Sequence, residues 1–527
     1  MEDYNQDVKL KKKGFTKLTA IIVAAVVLLL GGSVAAFVLL DNNSPKQSYF
    51  LSEKNTFEFF EEQLKERYES EIEWSEKSQE NPIQDIYELS AEVNMPLSDG
   101  TAYVTPEQII NNSTITITTG LDYKEKVAAA EIQGGFGNFT IEDINVYLTE
   151  DRFMLGLPFI NEILQLKGDD FGKLGQQFDP TFTGEEKIDF GMFFDRNIMA
   201  EEDIKYLEEE YGKEIYDALP DEAFESADET VKIGDDNIKT EKITFHLTEE
   251  QVKKILTDTL SKMAEDERLK EILLDYVQTQ VTGPVVFGEG VDLGLSDFES
   301  EFETAMQDAI DGLDSFVIPN GFTSTIWVSD DVIVKRDFSM EMGPTNDQLV
   351  TFYISGTLKK NETDVTFDYD FGVEDQGIDY SLSLVGELSN DDGNIQDKIT
   401  VSVDSIQLIY ESNETLKDSK RDFDRTVSFI DETGYQFDLI WTGNSEYDGD
   451  QMNSSHEFTV GSDDIMQDLV ILYVDKESKL VDSIELPNED EVKDIGSMSI
   501  DEITSYFEND VMPEFEKWMM GIIGFGF

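Results

Sequence analysis

Two histidines, 113 carboxylates and no cysteine define the chemistry open to this 527-residue chain. His246 lies in KITFHLT, alternating with apolar neighbours just before a helix start, the setting of a structural or surface histidine. His456 opens a strand in SSHEF, and Phe458 and Thr459 follow without the second histidine that a zinc-binding HExxH motif requires. Serine–histidine–acid catalysis needs one of these two as its base, and no GxSxG elbow supplies the serine. The lack of cysteine excludes disulfides, thiol catalysis and Cys-ligated zinc. No catalytic or metal-ligating residue is assigned, and the chain reads as a non-enzyme.

Oxygen chemistry is harder to dismiss by composition alone. Two acids facing each other about 5 to 10 Å apart could hydrolyse a glycosidic bond. With so many carboxylates, no particular pair stands out. Asp391-Asp392-Gly393-Asn394 and Asp448-Gly449-Asp450 offer oxygens suited to Ca²⁺. Neither fits the twelve-residue calcium loop ending in a bidentate Glu, and Asp-Gly is common hairpin chemistry. Gly288-Glu289-Gly290 with Gly294 has the wrong spacing for a phosphate loop and reads as a connection. Phe57, Phe59, Phe60, Phe367, Tyr369, Phe371 and Phe437 are ordinarily core residues, but on a curved sheet such aromatics can line an apolar cavity.

Those aromatics need elements to hold them. Phe57, Phe60, Leu64, Tyr68 and Ile72 recur at three- and four-residue steps, which predicts a helix from about Tyr49 to Ser78, ended by Asn81-Pro82. Short alternating runs from Ile83 to about Phe194 predict strands, and a loop-rich stretch falls between Gly156 and Gly184. Helices are predicted at about Ala200 to Ala218, from Thr248, at Glu267 to Gln280 and at Asp297 to Leu313. The strand IKTEKITFHLT lies among them. Thr323 to about Leu486 then reads as a long antiparallel meander, closed by an amphipathic helix at about Ser499 to Met520. The two halves share an order of helix, meander and helix, as a duplicated fold would.

The run from Leu18 to Leu40 carries no charge and follows Lys9, Lys11, Lys12, Lys13 and Lys17. As a helix it reaches roughly 35 Å, against about 30 Å of bilayer hydrocarbon. The lysine side stays cytoplasmic, so the remainder is expected to be extracytoplasmic. The rival reading is a signal peptide cleaved near Ser33-Val34-Ala35. The division that follows is a cytoplasmic tail at 1–17, a transmembrane helix at 18–40, a linker at 41–48 and α+β domains at 49–285 and 297–527.

The net charge of −73 makes nucleic acid an improbable partner, since phosphate needs clustered Lys and Arg. It fits a solvated acidic surface, or dependence on cations such as Ca²⁺ and Mg²⁺.

Two resemblances add to this. The lysine-rich tail, the single span and SPKQSYFLSEKNTFEFFEEQ resemble a group of uncharacterised single-span membrane proteins of Gram-positive bacteria. Segments such as STIWVSDDVIVKRDFSMEM and VILYVDKESKLVDSIELP are similar to the lipoprotein-carrier half-barrel fold. That likeness implies curved antiparallel sheets packed with helices and room for an acyl chain, with no individual ligand-binding residue carried over. The expectation is a membrane-anchored, extracytoplasmic protein of the cell envelope that binds a ligand or partner, such as a lipid or a lipoprotein segment. The alternatives are an envelope protein without a cavity, with another envelope protein as its partner, and a carboxylate-dependent cell-wall hydrolase.

Overall fold

In this computed structural model the described residues are 44–94, 105–136, 139–194, 200–282, 285–286, 298–462 and 469–524. The expected tail and transmembrane run, residues 1–40, lie outside them, as does the Gly288–Gly294 connection. The first described element is helix α1, Pro45–Glu80. Its start corrects the expected linker at 41–48. Pro45 takes the first helical turn, where its missing N–H costs nothing. Ser44 caps the helix by accepting from the Gln47 N–H at 3.2 Å.

Strands β1 (Ile83–Val93), β2 (Ser113–Asp122), β3 (Val127–Phe136), β4 (Phe139–Thr149), β5 (Arg152–Gly156) and β6 (Ile163–Lys167) follow. β7 (Lys187–Ile188) pairs only with β10 (Val285–Val286). β8 (Phe224–Ile233) and β9 (Asp236–Leu247) form a hairpin. Helices α2 (Glu249–Glu265), α3 (Glu267–Thr282) and α4 (Phe298–Ser315) come next. A capping box between Thr248 and Gln251 starts α2. The meander is β11 (Phe322–Ser329), β12 (Val332–Met342), β13 (Val350–Lys360), β14 (Asp364–Asp375), β15 (Ile378–Asp391), β16 (Asn394–Val403), β17 (Ile406–Lys417), β18 (Lys420–Ile430), β19 (Gln436–Asp448), β20 (Gln451–Ser462) and β21 (Val470–Leu480). Short β22 (Val492–Asp494) and helices α5 (Ile500–Tyr506) and α6 (Met512–Gly524) end the described chain.

These strands corrects the expected fold class of separate curved α+β sheets, because all but two of them join one 20-stranded sheet. β9 pairs with β11 and β1 with β21, both antiparallel, so the sheet runs unbroken from β8 across the meander to β6. The final pairing, β6 with β22, is parallel. The pairings β9–β11 and β1–β21 each join strands far apart in sequence. Local periodicity reports which face a residue takes, not which distant strand it meets.

The main core lies where helices cover one end of this sheet. Ile243, Phe245, Leu247, Phe322 and Ile326 are fully buried beneath Tyr49 and Phe50 of α1 and Val252 of α2. Tyr49 and Phe50 meet edge to face at 5.2 Å, and Phe224 stacks on Phe245 at 4.2 Å. From this anchor α1 continues across the same sheet face. Phe60 meets Phe367 at 5.6 Å, and Trp74 reaches Ile83 and Met452 near the far end of the helix.

Candidate functional site

The register puts one set of residues on the face that α1 crosses. Leu382, Leu384, Gly386 and Leu388 of β15 stand opposite Val403, Val401, Ile399 and Asp397 of β16. Leu408, Tyr410, Ser412 and Glu414 of β17 stand opposite Phe429, Val427, Arg425 and Phe423 of β18. Phe437, Leu439 and Trp441 continue the row on β19, Val460 and Phe458 on β20 and Leu472 on β21. The opposite face carries Ser381, Ser383, Ser402, Thr426 and Thr442. Period-two alternation therefore gives a wide sheet with one apolar face.

Helix α1 covers only half of that face. In the half it covers, polar side chains break the apolar row and meet partners on the helix. Arg67 makes two hydrogen bonds to Asp397, at 2.9 and 3.2 Å. Arg421 donates to Glu71 at 2.6 Å and also bonds Glu414, which accepts from Arg425 at 2.7 and 3.1 Å. Glu53 pairs with Arg336 nearer the start of the helix. Burial alone would push the Glu414 carboxyl up, but hydrogen bonds and charge from Arg425 and Arg421 hold it below the usual carboxylate range. The helix departs from helical geometry at Tyr68 (φ −125°, ψ 27°). There Arg421 donates to the Arg67 carbonyl and lies 4.9 Å from the Tyr68 ring centroid. A side chain entering the helical ladder is a recognised cause of a kink.

The other half has no such cover among the described residues. Phe371, Tyr380, Leu382, Val403, Leu408, Phe429, Phe437, Leu439 and Leu472 are all exposed, though they continue the apolar face. Phe429 and Phe437 are direct cross-strand partners, exposed 43% and 39%. Scattered exposed apolar residues need no explanation, but a contiguous patch of this kind does. From Phe371 on β14 to Leu472 on β21 it extends roughly 34 Å at about 4.8 Å per strand, with half-buried Val460 and Phe458 carrying it across β20. The helix supplies a second wall. Phe57 and Leu64 share a flank with Tyr68 by their spacing, and they are exposed 73% and 58%. The result is a trough with a sheet floor and a helical side.

The aromatics singled out by sequence fall on both sides of this division. Phe60, Phe59 and Phe367 join the packed cluster under α1. Phe57, Phe371 and Phe437 belong to the uncovered trough. Tyr369 lies between, half-buried against Phe367 at 6.3 Å. What sequence reading missed is the contribution of Leu408, Phe429, Leu439 and Leu472. The signal was present as alternation, but only strand pairing makes them contiguous.

His246 is exposed and bonds the Thr323 hydroxyl at 2.9 Å, so it ties β9 to β11. His456 lies at the boundary of the two halves. It makes tilted ring contacts with Phe423 and Trp441 at 5.8 and 5.7 Å, accepts the Trp441 indole N–H at 3.1 Å on Nδ1, and contacts Ser454 at 3.0 Å. Burial pushes its pKa down, and the charges of Arg425 and Lys476 add to that. Each histidine meets a hydroxyl, but with Nδ1 accepting from Trp441 the neutral His456 ring carries its proton on Nε2 and donates to Ser454, so it is not placed as that hydroxyl's base. Asp391-Asp392-Gly393-Asn394 forms the β15–β16 turn, with Asp392 and Gly393 both at positive φ (51° and 83°), the turn geometry of a two-residue hairpin. Gly449 (φ 62°) plays the same part between β19 and β20. Among the described residues no cluster of three His or carboxylate groups could hold a metal ion.

No family model matches the chain, and no curated protein matches it. Several solved structures do. OccAB2 of Acinetobacter baumannii has 6% identity, covers 76% of this chain and 97% of its own, with a TM-score of 0.23. Wzi, an outer-membrane, carbohydrate-binding β-barrel involved in capsule assembly in Escherichia coli, has 7% identity, covers 84% and 90%, with a TM-score of 0.23. The outer-membrane expressed OmpT of Vibrio cholerae has 7% identity, covers 76% and 96%, with a TM-score of 0.18. At such scores the likeness is one of strand-rich sheets and supports no functional transfer.

The expectation of a single-pass, membrane-anchored binding protein of a Gram-positive envelope is corrected by these findings. The described chain joins 20 strands in one sheet rather than forming two separate α+β domains. No helix among the described residues is long and apolar enough to cross a membrane. The expected topology, with a cytoplasmic N-terminus and extracytoplasmic domains, is not carried forward.

Proposed function

We propose that the protein is a carrier of elongated amphiphiles, whose acyl chains lie along the uncovered half of the sheet. The observation that carries this reading is the exposed row Leu382, Val403, Leu408, Phe429, Leu439 and Leu472, joined across β20 by half-buried Val460 and Phe458, floored by the sheet and flanked by Phe57 and Leu64. An acyl chain spans about half of the roughly 30 Å hydrocarbon of a bilayer, so a trough of this length accepts two end to end. Affinity comes from apolar area removed from water, about 25 cal/mol per Å² before the cost of ordering the chain. No covalent step is assigned, since the one serine–histidine contact near the trough has the ring donating to Ser454 rather than accepting from it. The trough does not need charge at its floor, and its wide mouth suits chains that enter sideways.

The test is uptake of a fluorescent hexadecanoyl probe by the full chain, alongside mass spectrometry of amphiphiles that copurify with it. Saturable binding that is lost in Leu439→Glu, with the variant's unfolding midpoint retained, is the expected result. Failure of the native chain to bind the probe, with no amphiphile copurifying, would remove the carrier reading.

A further inference from the structure

Both ends of the meander strands carry acids, but they differ in basic residues. At the end nearest α1, Lys359, Lys360, Lys417 and Lys420 flank the turns beside Glu362, Asp364, Asp391, Asp392, Asp418, Asp448 and Asp450. At the trough end the sequence contains no Lys or Arg in 343–350, 373–380, 403–408 or 428–439. The same stretches carry Asp347, Glu374, Asp375, Asp379, Asp404, Asp431 and Glu432. Helix α4, which packs over the adjacent core, also contains acids and no basic residue.

At this end a cavity of about 480 Å³ opens along β12 to β16 and the turn that follows β16. Phe352, Phe371, Tyr380, Leu382 and Val403 line it, and Asp404 is the one charged residue in its wall. Tyr380 is 56% exposed, so its ring is accessible. Aromatic faces attract a cation through their quadrupole, most strongly when the cation is weakly hydrated, as a quaternary ammonium is. Asp404 supplies the countercharge. The Tyr353 hydroxyl donates to Asp379 at 3.0 Å on the other face of the sheet, so Asp404 is the carboxylate that meets the cavity. An anionic head group would meet Asp404 without a Lys or Arg in the wall to offset it.

We infer that this cavity takes a cationic head group, so that the cargo of the trough is a cationic amphiphile with its apolar chain lying along β15 to β21. The inference rests on the carrier reading and adds the charge of the ligand to it. General attraction to a protein of net charge −73 predicts some cation preference anywhere on the surface, so the test must isolate one carboxylate.

The full chain is titrated calorimetrically with three probes sharing a hexadecyl chain, each below its micelle concentration: hexadecyltrimethylammonium, hexadecylphosphocholine and hexadecanoate. The cationic probe binds saturably and tightest, and its advantage over hexadecanoate shrinks as salt rises. Asp404→Asn, which keeps a residue tolerant of the positive φ of 53°, weakens the cationic probe about five-fold and leaves hexadecanoate no weaker. Tyr380→Leu weakens it by a similar factor. Equal affinity for all three probes, or an advantage untouched by both substitutions, would overturn the cationic head-group site while leaving the carrier reading standing. Failure of every probe to bind would remove the carrier reading itself.

Discussion

One sheet face is finished in two ways. Where α1 crosses it, Arg336, Arg421 and Arg425 of the strands and Arg67 of the helix are each paired with an acid, and aromatic rings pack against the helix. Beyond the helix the same strands carry mainly apolar side chains on that face, and many of these are exposed. A buried ion pair gains little net stability over apolar packing, but it fails badly when one partner is removed. Its value here is placement. Three pairs spread along α1, Glu53–Arg336, Arg67–Asp397 and Glu71–Arg421, fix the helix in one register across many strands, which an apolar stripe alone would specify less well. The open half has no such requirement, because nothing described must dock there in a single orientation. A ligand that is itself elongated and apolar needs area more than register.

The comparison breaks most visibly at Arg421. Its side chain is 1% exposed and bridges Glu71 of α1 to Glu414 of β17. Arg421→Ala leaves both carboxylates short of a partner, and denaturant unfolding should show a loss of about 3–5 kcal/mol. A loss below about 1 kcal/mol would mean that the helix is held by packing alone. Trp74→Ala tests the packing contribution at the far end of α1. The ring is buried against Ile83 and Met452, so removal should cost about 3–5 kcal/mol if the site does not collapse. A small change there would show that the helix end is frayed rather than seated.

Acid separates the halves without substitution. Glu414 has a lowered folded pKa, so its stabilising contribution is complete above the ordinary carboxylate value of about 4.3 and is lost as pH falls through the lower folded value. His456 is depressed by burial, so the unfolded chain takes up its proton first. Stability from the neutral imidazole is present above about 6.5 and lost as pH falls through the lower folded value. Thermal unfolding measured from neutral to acid pH should therefore show a shallow decline beginning near that first value. His456→Gln should flatten it. A decline that survives the substitution would assign it to other groups.

How much of this could be read without coordinates differs by half. Helix α1, its end at Asn81 and the capping box of α2 follow from periodicity and local hydrogen-bonding chemistry. The meander strands do as well, since the exposed and apolar positions alternate. Arg421, Arg425 and Glu414 were not legible as a site, because their spacing in sequence carries no chemical pattern. They become one network only when β17, β18 and α1 meet. The trough was legible only in part. Phe57, Phe371 and Phe437 stood out as aromatics, whereas Leu408 and Leu439 look like ordinary core residues until the helix is seen to stop short of them. Joining β1 to β21 and β9 to β11 turned two expected sheets into one, and no local feature of those strands announces a partner so far away.

The smallest stability effect should come from the helical wall of the trough. Leu64 is 58% exposed and shares its flank with Phe57, so neither side chain carries much of the folding free energy. The double substitution Phe57→Ser, Leu64→Ser should change unfolding free energy by no more than about 1 kcal/mol, since each is a surface change away from caps and buried polar groups. If the two residues bound the trough, acyl-probe affinity should still fall several-fold, because the ligand loses one apolar wall and meets two hydroxyls in its place. The same pair of substitutions placed on the opposite flank of α1, at Glu62 and Glu69, should leave probe binding unchanged. Equal effects on both flanks would show that α1 acts only as a strut beneath which the sheet is held, and the trough would then have a floor but no side.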